Sequence, residues 1–86
     1  MLLVLAEEWK IEHNELSSGE KAEDLFQASK SYGDSQSIVL DAGWYQSVYK
    51  VLLIKDFNWE NPVAAKECKD IDEVVCAINA FASKKI

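Results

Sequence analysis

The chain contains no arginine. Recognition of phosphates and base edges leans on the guanidinium fork, so nucleic-acid binding is not expected. One histidine, His13, excludes a histidine-cluster metal site and leaves a single conventional base near neutral pH. Two cysteines, Cys68 and Cys76, are too few for a disulfide scaffold, and their spacing fits neither a zinc nor a thioredoxin pattern. Both thiols are expected to be reduced, which points to a cytoplasmic protein. One proline and three glycines in 86 residues suggest no flexible linker and no phosphate-cradling loop, so residues 1–86 read as a single compact domain. Long apolar runs are missing too. "MLLVLAEEW" reaches Glu7 far short of the roughly 20 apolar residues of a membrane span, and it lacks the basic start and cleavage site of a signal peptide.

What is present is acidity, unevenly placed. Net charge is −6; residues 1–43 carry nine acids against three lysines, whereas residues 44–86 carry six of each. Either solubility or a basic protein partner accounts for such a half. In the second case Glu7, Glu8, Glu12, Glu15, Glu20, Glu23 and Asp24 would meet the partner, much as small inhibitor or immunity-type proteins neutralise a basic toxin.

The last segment, "DIDEVVCAINAFASKK", sets Ile71, Val74, Val75, Ile78, Phe81 and Ala82 at helical spacing. Asp70 and Glu73 form a capping-box pair, so a helix is expected from about residue 71 to 84. "SSGEKAEDLFQASKSYG" has the same grammar. Ser17 and Glu20 cap it, Ala22, Leu25, Phe26 and Ser29 form a stripe, and Gly33 stops it, which predicts a second helix. "QSIVLDA" alternates like a half-buried strand, "VYKVLLIK" is apolar on both faces like a central one, and "PVAAKEC" reads as a weaker strand that Pro62 either places at an edge or makes begin just after it. Gly43 and "NWENP" are expected in short loops.

The first sixteen residues fit two templates. A strand puts Leu3, Leu5, Trp9 and Ile11 on one face; a helix aligns Leu2, Leu5, Trp9 and Leu16. The alternation from Trp9 to His13 favours the strand. The expected fold is therefore an α+β two-layer sandwich of order β-α-β-β-β-α, with a mainly antiparallel four-stranded sheet and both helices on one face. Without its first strand the order is that of double-stranded-RNA-binding domains. The acids Asp70, Asp72 and Glu73 stand where those domains carry basic residues, and that function is set aside.

Catalytic patterns are scarce. His13 lies among acids, Ser17 and Ser18 read as helix caps, and no nucleophile-elbow glycines surround them. Asp56, Asn58, Glu60 and Glu67 occupy calcium-loop positions, but Asn61 replaces the required glycine and a strand precedes the loop. Neither a metal nor a cofactor is expected. Cys76 falls opposite the apolar stripe of its helix and is expected on the outer face.

Contact surfaces rank higher. Two helices cover one sheet face only, which leaves Val48, Leu52 and Ile54, with Val39 and Ala64, on the other. An apolar face of that kind is expected to meet a second copy as a homodimer, another protein or the chain's own N-terminus. Trp44, Tyr45 and Trp59 stand at turns as candidate contact residues, and Glu12, Glu23 and Asp24 are the candidates for a basic partner. A third reading is a small-molecule pocket built from Trp44, Tyr45, Tyr49 and Trp59, with Asp41 or Asp56 as polar handle.

Overall fold

Among the described residues of the computed structural model five strands run as an antiparallel meander, in the spatial order β1-β2-β3-β4-β5, and one helix follows them. The described residues are 3, 5, 7–16, 24–33 and 36–83, with Tyr32 described by its backbone alone. The strands are β1 (Lys10–Asn14), β2 (Phe26–Gly33), β3 (Gln36–Tyr45), β4 (Val48–Lys55) and β5 (Ala64–Cys68); the helix is α1 (Ile71–Ala82).

This overturns the two-helix, four-stranded sandwich. Residues 26–33, predicted as the body of a helix, form β2 and pair with strands on both sides; the expected cap at Ser17 and Glu20 lies outside the described residues. Phe26 and Ala28 alternate with Gln27 and Ser29, a period-two pattern that the coincident helical stripe obscured. Pairing with two neighbours outweighs the weak strand propensity of Gln, Ala, Ser and Lys. Another correction follows from the added strand. The middle of the sheet is β3, with β4 beside it, so "VYKVLLIK" is interior but not central.

Helix α1 matches its sequence signature. Asp70 is the N-cap and accepts a hydrogen bond from the Glu73 N–H at 2.9 Å, while the Glu73 carboxylate reaches back to the Lys69 N–H at 3.3 Å. The buried residues are Val74, Val75, Ala77, Ile78 and Phe81, which pack on β3, β4 and β5. Cys76 is exposed and Cys68 buried, and neither is in a disulfide.

Register assigns each side chain to a face. Phe26, Ala28, Ile38, Leu40, Ala42, Val51 and Leu53 point toward the helix and belong to one buried cluster. Beside α1 the same face is covered by Trp9, Leu16 and Leu25, with Leu3 and Leu5 packed against them. The N-terminal segment therefore shares the work of the helix instead of covering the opposite face. Lys30 closes the margin, its ammonium 5.0 Å from the Trp9 ring centre and 3.8 Å from Glu8.

Both tight connections on either side of β4 use left-handed backbone. The β3–β4 hairpin turns through Gln46 (φ 48°) and Ser47 (φ 77°), the signature of a two-residue type I′ loop built without glycine or asparagine. At the other end Asp56 (φ 54°) and Phe57 (φ 59°) continue the pattern. Such conformations are unusual for side chains like these, and the second reverses the chain over the sheet.

Candidate functional site

Among the described residues no helix covers the second face of the sheet. Its rows are Gln27, Ser29 and Ser31 on β2, Ser37, Val39, Asp41, Gly43 and Tyr45 on β3, Val48, Lys50, Leu52 and Ile54 on β4, and Ala65 and Glu67 on β5. Ala64, expected here, pairs with Leu53 and so faces the helix; Ala65 takes its place.

The loop from 56 to 63 is anchored at the margin of this face. The Asp56 N–H donates to the Ser37 carbonyl at 2.8 Å, the Ser37 N–H donates to the Asp56 carboxylate at 3.2 Å, and the Val63 N–H donates to the Leu53 carbonyl at 2.8 Å. Three apolar side chains of the loop are exposed: Phe57 at 63%, Trp59 at 46% and Val63 at 45%. Beneath it, Val39 and Ile54 are buried. The loop is therefore a partial lining that adds exposed rings to the face.

Two clefts lie there. The first, of about 520 Å³, is lined mainly by polar groups, among them Lys10, Glu12, Ser29 and Ser31, with Val39 and Phe57. The second, of about 470 Å³, is lined by Asp41, Tyr45, Gln46, Lys50, Leu52 and Trp59. Gln27 of the first and Asp41 of the second are cross-strand partners, so the clefts are neighbours.

Asp41 is the unusual member. It sits in the middle of the central strand at 6% exposure, flanked across the ladder by Gln27 and Leu52. The Tyr45 hydroxyl donates to its Oδ2 at 3.2 Å. The two residues are four apart on one strand face, and Gly43 between them has no side chain to separate the groups. Burial pushes the Asp41 carboxyl above its ordinary value, Tyr45 opposes the shift, and the charge of Asp24 adds to it.

The predicted contact residues divide. Tyr45, Val48 and Leu52 lie on this face half-buried, Trp59 stands exposed above it, and Ile54 is fully buried in it. Trp44 is on the other face, in an edge-to-face contact with Tyr49 at 4.8 Å between ring centres, so these two do not share the cleft with Tyr45 and Trp59. Glu12 accepts from the Ser29 hydroxyl at 2.6 Å beside the first cleft, Asp24 is exposed, and Glu23 lies outside the described residues. Gly43, expected in a loop, is a buried β3 residue. Phe57 and Lys50 were not singled out from sequence; the apolar residue following Asp56 at the end of a strand was the available signal for Phe57.

Other chemistry gathers less. His13 Nε2 is 2.9 Å from the Asp24 carbonyl. Among the described residues no three His, Cys, Asp or Glu side chains form a group fit for a metal, and no helix is long and apolar enough to cross a membrane. Burial raises the Cys68 thiol, partly offset by Lys66. Comparison with protein-family models, curated proteins and solved structures gives no match.

Proposed function

We propose that the chain is a small non-catalytic binding module that docks a protein partner on the sheet face opposite α1. The observation that carries this reading is the loop from 56 to 63, which is fastened to the sheet at Ser37 and Leu53 yet leaves Phe57, Trp59 and Val63 exposed. Aromatic rings above a half-buried apolar floor are what interface centres are made of, and solvent-exposed aromatics contribute little to folding. The partner's chemistry follows from charge. At −6, two copies repel each other, while a basic protein is drawn in. A second copy is thus the competing occupant, favoured by apolar surface and opposed by charge.

The test combines light scattering with a titration of decalysine, a basic peptide, followed by calorimetry. The expected results are a monomer alone, binding that weakens with added salt, and loss of most of that binding in the double variant Phe57→Ser, Trp59→Ser. A dimer that dissociates in the double variant would transfer the face to a second copy. Decalysine binding unchanged in the variant would overturn the docking reading.

A further inference from the structure

We infer that the cleft between Trp59 and the β3–β4 hairpin is a seat for one lysine or arginine side chain of the docked partner, with the Asp41 carboxylate as its counter-ion. The inference rests on the docking reading and adds the chemistry of one point within that surface.

The first support is the position of Asp41. Aspartate at a turn or strand end is ordinary, but here it lies mid-strand at 6% exposure, beside Leu52 and on the floor of an open cleft. A buried carboxylate is costly without a cation or several hydrogen bonds. Tyr45 supplies one hydrogen bond, to Oδ2. A carboxylate has about four acceptor sites, so most of its capacity remains for a further donor. Among the described residues no lysine is ion-paired with it, and its raised pKa reflects a charge that burial disfavours.

The walls are the second support. Leu52 offers an apolar surface to a methylene stem, and the Trp59 and Tyr45 rings line the same cleft as Asp41. That combination suits the amphipathic lysine and arginine side chains, with stem against apolar surface and charge against ring and carboxylate. A volume of about 470 Å³ is ample for one such side chain. The overall charge of −6 raises the local concentration of cations.

Lys50 lines the same cleft and bears on the test. It pairs with Gly43 across the ladder, which places it diagonally from Asp41 on one face. An ammonium there competes with an incoming cation, so removing it should strengthen binding.

The probe is N-acetyl-lysine methylamide, with N-acetyl-norleucine methylamide as its uncharged counterpart, titrated into the full chain while the Trp59 indole resonance is followed by NMR. Binding in the millimolar range is expected for the lysine compound and none for the norleucine one. Asp41→Asn keeps the shape, removes the charge and is expected to weaken the lysine compound about tenfold or more. Lys50→Gln is expected to tighten it several-fold, a readout that survives if the Asp41 variant folds poorly. Equal binding of the two compounds, an unchanged affinity in Asp41→Asn, or weaker binding in Lys50→Gln would each overturn the seat. Loss of decalysine binding in the Phe57, Trp59 double variant but not in Asp41→Asn would leave the docking surface standing while removing the seat. Methylammonium binding as tightly as the lysine compound would show a site for free amines and overturn the side-chain assignment.

Discussion

The two faces of the sheet are built from the same strands, one residue out of step, and they differ in almost every physical respect. Toward α1, residues such as Phe26, Ala28, Leu40, Ala42, Val51 and Leu53 form an apolar block at 1% exposure or less. Among the described residues of the opposite face only Val39 and Ile54 are buried and apolar, and between them and the hairpin lie Asp41, Gly43 and Lys50. One face is organised for burial. The other holds a buried acid, exposed rings and, at its margins, left-handed backbone at residues that are not glycine. Features that cost stability are tolerated where binding gains from them, and here they gather on one side.

The contrast can be broken first at its stable side. Leu53→Ala or Phe26→Ala should cost about 3–4 kcal/mol in a urea unfolding titration, because each empties a fully buried volume. Ile54→Val, on the second face but also buried, should cost only about 1 kcal/mol.

The strained hairpin should respond in the other direction. Replacing Gln46 and Ser47 by Asn and Gly suits a type I′ turn and should stabilise the fold by about 1 kcal/mol. Trp59→Ala, at an exposed ring, should change stability by less than about 0.5 kcal/mol while reducing decalysine binding.

Asp41 sharpens the comparison through pH. Its folded-state pKa lies above the ordinary 3.8, so between these two values the folded chain binds more protons than the unfolded one. The contribution of this group to stability must therefore fall as pH rises through that window, and the destabilisation is complete above the folded pKa. Thermal melts of Asp41→Asn should lack this decline and should equal or exceed those of the parent at neutral pH. A parent that gains stability through the window relative to the variant would reverse the sign and show a compensated carboxylate.

Much of the fold was legible from local pattern. Helix α1 announced itself through Asp70, Glu73 and its apolar spacing, β3 through alternation, β4 through a run apolar on both faces, and β5 more weakly, beside Pro62. β2 did not, because Ala28 is too small to mark a strand face and Leu25, Phe26 and Ser29 also satisfy a helical stripe. Gly43 hid the rest. Read as a loop, it detached Trp44 and Tyr45 from the strand; carried through it, the alternation of Leu40, Ala42 and Trp44 against Asp41 and Tyr45 separates the two rings onto opposite faces. The role of Asp41 as a polar handle was visible as a residue type. Its burial was not, since that depends on which residues β2 and β4 set beside it and on Tyr45.

The most direct test of the division between faces uses the three tryptophans as reporters, one buried at Trp9, one half-buried toward the helix at Trp44 and one exposed at Trp59. Their indole N–H signals are recorded during a decalysine titration. The expected result is a progressive shift of the Trp59 signal alone, with Trp9 and Trp44 unmoved. Equal movement of all three, or a still Trp59 while the amides of Glu7, Glu8, Glu12 and Glu15 shift, would contradict recognition through the second face.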